Sequence, residues 1–144
     1  MTNLLTATFR SSCIVLTNGA GTNVLGIQID AVPAYNASGT IYHTKGVGNG
    51  YVLTMGGKRI YMSGDTGDIP ETRALQNIDV AFLCANIPYT MTINEAAAVT
   101  RAFIPKIVYP YHFRNDNGTF ANLNSFKNLV GTDLGIEVRI RKWY

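Results

Sequence analysis

Two side chains that could bind a metal ion follow apolar, strand-like runs in this sequence. Asp65 lies in the turn Gly64–Gly67 after one such run, and His112 directly follows another. Carboxylate and imidazole groups are the usual protein ligands of zinc, manganese and iron. Each residue alone has a commoner interpretation, an aspartate that satisfies its own turn and a histidine that packs or hydrogen-bonds. Together they predict a metal site if the fold brings them to one place.

The other of the chain's two histidines, His43, lies in a glycine-rich segment, Tyr35–Gly50, together with Lys45. A segment of this length without secondary structure of its own is usually functional. We therefore consider His43 a third candidate ligand and Lys45 a candidate contact for an anionic substrate.

The elements that must position these residues alternate between strands and helices from residue 58 onward. The clearest is a hairpin, in which Gly56-Gly57 joins the strands Tyr51–Met55 and Lys58–Met62. The later predicted elements are helices at 68–77, 92–103 and 123–129 and strands at 78–84, 106–110 and 136–141. This alternation predicts right-handed crossovers and a partly parallel sheet. Asp65 and His112 would then open onto the same sheet edge.

Local signals predict where several elements begin and end. Two predicted helix starts have capping-box spacing, Asp68 with Glu71 and Thr92 with Glu95. Nearer the N-terminus we expect strands at 13–16 and 26–32, the second ended by Pro33. The predicted fold class is α/β, with a mixed sheet and flanking helices.

Length and composition limit the class of protein. With 144 residues, 47% hydrophobic and 15% charged, residues 1–144 suit a single domain with its own core. The sequence has no apolar run of about 20 residues and no signal-peptide pattern at its start, so we expect a cytoplasmic location and no membrane span. Two cysteines without metal-type spacing are expected as reduced thiols. Basic and aromatic residues cluster only at the C-terminal end, so we do not expect a nucleic-acid partner.

Several sequence blocks resemble the metallo-β-lactamase-fold metal-dependent hydrolases. The main blocks are Gly-Asp-Thr-Gly-Asp-Ile-Pro-Glu (64–71) and the segments 77–83, 88–92 and 105–113. Segments 31–36 and 43–46 also fit the branch that contains ascorbate-6-phosphate-lactonase-like and N-acylphosphatidylethanolamine-phospholipase-like proteins. The resemblance covers residues 24–144 and implies the second half of an αββα sandwich. Residues 1–23 would be an N-terminal segment of unassigned structure.

The resemblance also implies roles for the candidate residues. The family's bridging aspartate, which binds two metals and orients the hydroxide, corresponds to Asp65, and the late histidine of the second metal corresponds to His112. A middle histidine is replaced here by Asn36, a poor ligand, and His43 is the candidate substitute. Zinc is the expected metal, with manganese or iron as alternatives. The family's His-x-His-x-Asp-His motif has no counterpart in these 144 residues.

Two functions remain open after this comparison. In the first, the chain is a metal-dependent hydrolase whose activated water attacks a small-molecule ester, lactone or phosphodiester. In the second, it is a catalytically inactive half-domain that acts through self-association as a homodimer or through a complementing N-terminal half. The absent motif favours the second function. The sheet edge and the apolar face that a missing half would cover also favour it. Catalytic zinc normally has three protein ligands. Asp65 and His112 are two, so the site reaches three only if His43 also binds the metal.

Overall fold

A computed structural model of the protein describes Phe9, residues 11–37 and residues 41–143, so the predicted N-terminal segment lies partly outside it. Within these residues, seven strands form one sheet whose spatial order equals the chain order. The strands are β1 Gly21–Val24, β2 Ile27–Ala34, β3 Gly48–Met55, β4 Lys58–Met62, β5 Val80–Cys84, β6 Ile107–Tyr111 and β7 Glu137–Val138. The helices of the crossovers are α1 Pro70–Arg73, α2 Ile93–Phe103 and α3 Leu123–Val130.

The sheet has an antiparallel part and a parallel part. Strands β1 to β4 pair antiparallel, with two-residue connections on either side of the long β2–β3 loop, residues 35–47. Strands β4 to β7 pair in parallel through helical crossovers. Parallel neighbours require such crossovers because the chain must return to the same end of the sheet. The predicted α/β class with a mixed sheet and flanking helices is confirmed.

The predicted hairpin forms β3 and β4. Met55 pairs with Lys58, and Gly56 and Gly57 connect them with φ angles of 54° and 70°. Two successive positive φ angles are those of a type I′ turn, whose twist matches that of the strands and which favours glycine at both positions. The Gly-Gly pair therefore fixes the register of these two strands.

The first strands differ from the prediction. Residues 13–16 form no strand, and β1 begins later, at Gly21. Pro33 does not end β2 but lies inside it, opposite Asn49 of β3. The prediction failed because β1 covers only Ile27–Asp30 of its neighbour. Beyond that point β2 is an edge strand on that side. Pro33 has no backbone N–H, and at an edge this leaves no hydrogen bond between strands unmade.

The helices agree with the prediction unequally. Thr92 and Glu95 form the predicted capping box at the start of α2. The helix predicted from residue 68 to 77 shortens to the single turn of α1, and Asp68 does not cap it, because its carboxylate pairs with the Arg73 guanidinium instead. The third helix is found as predicted, while the last strand is limited to two residues.

The two faces of the sheet differ in how they are covered. The inner face, which packs against α2 and α3, carries the buried side chains of Val52, Tyr61, Ala81, Leu83 and Val108. The outer face carries the alternate residues of the same strands, Tyr51, Leu53, Met62, Phe82 and Tyr109, which are half-buried or exposed. Since side chains alternate along a strand, an apolar outer face is unusual for a sheet that meets only water.

Two further predictions concern the described residues as a whole. Cys13 is an exposed free thiol and Cys84 a buried one, as expected. Among the helices in the described part of the chain, none has the length and apolar character needed to cross a membrane.

Candidate metal centre

Asp65 stands in the loop that follows β4, and glycines bring this loop against β3. A Cβ atom at Gly50 would lie 2.5 Å from the Ser63 carbonyl oxygen, and one at Gly64 would lie 2.8 Å from the Asn49 carbonyl oxygen. Gly64 also has a φ of 61°, which favours glycine. Gly50, predicted to lie in a loop, is thus a strand residue that allows the two backbones to approach each other.

The turn after Asp65 is held in place by Tyr35 at the end of β2. The Thr66 hydroxyl accepts a hydrogen bond from the Tyr35 N–H at 3.3 Å, and the Gly67 N–H donates to the Tyr35 carbonyl at 2.8 Å. Thr66 is fully buried, whereas the Asp65 side chain is 40% exposed. The carboxylate therefore projects from a turn whose own polar groups are satisfied.

His112 directly follows β6 and has a φ of 47°. The hydroxyl of the preceding Tyr111 donates to the Gly64 carbonyl at 3.2 Å and lies 3.4 Å from the Ser63 hydroxyl. The loop that carries His112 is thereby tied to the loop that carries Asp65. Burial is the main cause that raises the pKa of Tyr111 to about 12, so this hydroxyl stays protonated at neutral pH.

His43 is positioned by Asn36, the residue that stands where the resemblance places a histidine. The Asn36 backbone N–H donates to the His43 carbonyl at 3.0 Å. Its side-chain amide donates to the carbonyls of Tyr42 and Tyr89 at 3.2 and 2.8 Å. His43 has a φ of 52°. These hydrogen bonds of Asn36 hold the loop in the conformation in which His43 reaches Asp65.

Asp65 lies between the two histidines. His43 Nε2 is 3.6 Å from Asp65 Oδ2, and His112 Nε2 is 3.6 Å from Asp65 Oδ1. All three side chains are between 31% and 40% exposed. The predicted juxtaposition of Asp65 and His112 at one sheet edge is what the structure shows, and each carboxylate oxygen faces a different imidazole.

The kinds of donor atom fit a metal, but their number is small. Two ligands of one tetrahedral zinc ion are about 3.3 Å apart, given bond lengths of about 2.0 Å, and each His–Asp pair is close to that spacing. Within the described ranges, however, no three His, Cys, Asp or Glu side chains are grouped so that they could hold one ion. Each oxygen of Asp65 thus offers a two-ligand site, one fewer than a catalytic zinc normally has.

Lys45 lies with a different group of residues. Its Nζ is 3.6 Å from Glu71 Oε1 and 4.7 Å from the centre of the Tyr35 ring, while the Tyr35 hydroxyl donates to Glu71 at 2.9 Å. Its hydrogen bond with Tyr35 is the largest of the effects that raise the pKa of Lys45. Contact between Lys45 and a substrate remains a prediction.

Sequence reasoning missed the supporting residues of this site. Ser63 is fully buried, and its hydroxyl accepts a hydrogen bond from the Cys84 N–H at 3.2 Å, which links the ends of β4 and β5. The Tyr111 hydroxyl connects the two ligand loops. The only sequence signal was the position of each residue at a strand end, within two residues of a candidate ligand.

The chain is similar to proteins of one family along most of its length. The family model described as "Beta-lactamase superfamily domain" matches residues 3–112. The UPF0173 metal-dependent hydrolase of Pyrococcus abyssi is 31% identical over 133 residues, which is 90% of this chain and 59% of that protein. Its counterpart from Thermoplasma acidophilum is 34% identical over 74% of this chain and 49% of that protein. The chain thus spans about half the length of the curated relatives that it matches.

Solved structures agree with the sequence relatives. A candidate metal-dependent hydrolase from Parabacteroides distasonis superposes with a TM-score of 0.82 at 43% identity, covering 93% of this chain and 60% of that one. A metallo hydrolase from Ignicoccus hospitalis has a TM-score of 0.74 at 28% identity, covering 90% of this chain and 57% of that one. By sequence and by fold, the chain belongs to the β-lactamase superfamily, among the metallo-β-lactamase-fold proteins.

Proposed function

We propose that this chain provides part of a two-metal hydrolase centre, in which Asp65 would be shared by both ions and His43 and His112 would each hold one. The observation that supports this most directly is the equal 3.6 Å spacing between each oxygen of Asp65 and its own imidazole. A carboxylate faced on each oxygen by an imidazole nitrogen has the chemistry of a bridging ligand.

The proposed metal is zinc, with manganese or iron as alternatives, because imidazole and carboxylate suit all three. When bound, such ions would lower the pKa of a water molecule and polarise a substrate oxygen. Asp65 would orient that water from the turn that Thr66 and Tyr35 hold in place. The proposed substrate is a small-molecule ester, lactone or phosphodiester. The relatives' description as metal-dependent hydrolases supports the reaction class.

A complete centre needs ligands beyond the three described here. Both histidines of the sequence are already used, so the remaining donors would come from a segment outside these residues, in the same polypeptide or in a separate chain. We propose that this segment packs on the outer face defined above, whose apolar residues Tyr51 and Met62 are 36% and 47% exposed. Burial of such a face would provide the driving force for association.

Zinc titration of the metal-free chain by calorimetry tests the proposed ligands. Asp65→Asn should abolish binding, since it removes the shared ligand. His43→Ala and His112→Ala each remove a direct ligand and should weaken binding by more than the roughly tenfold that loss of an outer-shell partner costs. Asp68→Asn is the matched control, because that carboxylate directly follows the same turn but pairs with Arg73. Zinc binding that survives in the Asp65 variant, or that is lost equally in the Asp68 variant, would refute the proposal.

A second candidate function is an inactive half-domain that acts by self-association. Two observations favour it, the apolar outer face and the two-ligand geometry on each side of Asp65. In this case His43 and His112 would be remnants of a site, and the outer face would be the functional surface. The first candidate function requires that the chain binds metal through Asp65, His43 and His112. The second requires only that it associates through the outer face.

A further inference from the structure

We propose that Asn117 is a self-modifying site, at which the Gly118 nitrogen displaces the side-chain amide and closes a succinimide ring. The sequence contains three Asn-Gly pairs, at 18–19, 49–50 and 117–118. Glycine favours this reaction because it has no side chain to hinder the attacking nitrogen, and asparagine is accordingly a thermolabile residue. The structure holds two of the pairs in place and leaves the third exposed. The inference is independent of the proposed function.

The side chains of the first two asparagines are bound to each other. The Asn18 amide donates to the Gly48 carbonyl at 2.8 Å and to Asn49 Oδ1 at 2.6 Å. The Asn49 amide donates in turn to the Leu16 carbonyl at 2.9 Å. Both asparagines are half-buried. Departure of either side-chain nitrogen would therefore break hydrogen bonds that join separate segments of the chain.

The sheet also engages the nitrogens that would attack these two side chains. The Gly19 N–H donates to the Ala31 carbonyl in β2 at 2.9 Å. Gly50 is buried and lies opposite Val32 in the ladder between β2 and β3. Ring closure at either pair would require opening of the sheet, which is among the costlier motions of a folded protein.

The third pair lies in an exposed turn of the loop that follows β6. Asn117 and Gly118 are both exposed, and the Gly118 N–H donates to the Asn115 carbonyl within the same turn at 3.0 Å. Exposed loop hydrogen bonds of this kind open readily. Within the described ranges, the Asn117 side-chain nitrogen has no acceptor. Neither the attacking nor the leaving nitrogen is thus fixed by the sheet.

Thr119 directs two donors at the oxygen that becomes charged in the reaction. Its backbone N–H and its hydroxyl donate to Asn117 Oδ1 at 3.1 and 2.6 Å. When the Gly118 nitrogen bonds to Asn117 Cγ, this oxygen carries the negative charge of the tetrahedral intermediate. Donors that are already in place for such an oxygen lower the barrier. The turn therefore has the geometry of a small oxyanion hole.

The reaction needs no partner besides water. Solvent takes up the Gly118 proton and protonates the departing nitrogen, so that cleavage of the Cγ–Nδ2 bond of Asn117 releases ammonia. Water then opens the ring to an aspartyl or isoaspartyl residue, and the net reaction consumes water and releases ammonia. The product places a new carboxylate next to Asp116, in the loop that follows His112.

Incubation of the folded chain in ¹⁸O-water at mildly alkaline pH tests the inference, because opening of the ring incorporates solvent oxygen. Trypsin cleaves after Lys45 and Arg114, which places the three asparagines on different peptides for mass spectrometry. We expect Asn117 to react more than about tenfold faster than Asn18 or Asn49, since the other two must first open the sheet. In urea the three rates should become comparable.

Two variants test the part that Thr119 plays. Thr119→Val removes the hydroxyl donor and should slow the reaction of Asn117 by about three- to tenfold, the size of one net hydrogen bond. Thr119→Ser is the matched control, because it keeps the hydroxyl and should react like the unchanged chain. Asn18 reports on folding in each sample, since it should become labelled quickly only where the chain is unfolded.

The outcomes decide the inference in either direction. Selective labelling of Asn117 that Thr119→Val slows and Thr119→Ser does not slow supports it, whether or not the chain binds zinc. An unlabelled Asn117, or equal labelling of the three asparagines in the folded chain, overturns it. Equal rates in the two Thr119 variants would overturn the assignment of the hydroxyl as an oxyanion donor.

Discussion

At the scale of single residues, the two histidines share an uncommon backbone conformation. His43 and His112 have φ angles of 52° and 47°, in a left-handed region that few non-glycine residues adopt. Such conformations persist where surrounding contacts hold them, and they occur often at functional sites. Here the contacts are the Asn36 N–H bonded to the His43 carbonyl and the Tyr111 hydroxyl bonded to Gly64.

The Tyr111 hydroxyl should position the candidate ligands without being one itself. Tyr111→Phe removes the hydrogen bond between the two ligand loops and should cost about 1 kcal/mol of stability. It should also weaken zinc binding by about tenfold, as loss of an outer-shell partner typically does. Calorimetric zinc titrations and urea unfolding of the variant measure the two effects separately.

Tyr109→Phe is the control for this variant. Tyr109 lies two residues earlier on β6, and its hydroxyl accepts a hydrogen bond from Arg139 at 3.1 Å, away from the Asp65 loop. The Tyr109→Phe variant should be less stable than the unchanged protein but should bind zinc with the same affinity. Equal zinc affinities of the two variants would show that the Tyr111 hydroxyl has only a structural role.

The sequence revealed the candidate ligands more readily than the residues that hold them. Asp65 and His112 could be predicted because each follows a strand, and the ends of parallel strands meet at one edge of a sheet. The role of Asn36 could not be predicted, because its partners are backbone carbonyls of Tyr42 and Tyr89. Every residue type has a backbone carbonyl, so the sequence does not indicate which carbonyl a side chain binds.

At the scale of elements, Asp79 joins the beginnings of three strands. Its carboxylate accepts hydrogen bonds from the Arg59 N–H at 2.9 Å and the Lys106 ammonium at 2.7 Å, and it directly precedes β5. The hydrogen bond from Lys106, followed by that from Arg59, lowers the pKa of Asp79 from 3.8 to about 2. The charged carboxylate is therefore the form that the folded state stabilises.

This carboxylate should make stability depend on pH in acid. Because the pKa is lower in the folded state, its contribution is fully present above about pH 4 and is lost as the pH falls towards 2. Asp79→Asn should lower the urea midpoint at about pH 6, and the gap to the unchanged protein should shrink by about pH 2.5. A gap of constant size across that range would contradict the assignment.

Elements with local signals were predictable, and those set by neighbours were not. The β3–β4 hairpin and the Thr92 capping box depend on residues close in sequence. The length of β2 beyond Pro33 depends on where β1 stops, and α1 shortens as Asp68 pairs with Arg73 instead of capping the helix. Propensity cannot indicate such a competition between partners, because tertiary contacts decide it.

At the scale of the whole molecule, helices cover one face of the sheet, and the residues that the structure describes leave the other face only partly covered. The helices bury the inner face, and the outer face carries apolar residues that remain half-buried or exposed. Large exposed apolar surfaces usually mark interaction sites. The chain spans about half the length of the matched relatives, and the segment proposed to complete the metal centre would pack on this face.

These 144 residues alone should therefore self-associate through the outer face. Tyr51→Glu places a charge on this face and should shift sedimentation from dimer to monomer, since the charge would be desolvated in the interface. Leu129→Glu is the control, because Leu129 is 46% exposed on α3, a helix that covers the inner face. A monomer at all concentrations before any substitution, or equal effects of the two variants, would argue against association through this face.

The most direct test of the central claim uses the fact that the sequence contains only two histidines. Labelling with ¹⁵N-histidine gives two imidazole spin systems, whose ring nitrogens shift when they bind zinc. If Asp65 bridges two ions, zinc should shift the Nε2 signals of both His43 and His112, and Asp65→Asn should abolish both shifts together. Shifts of only one histidine, or shifts of both that persist in Asp65→Asn, would contradict the proposed centre.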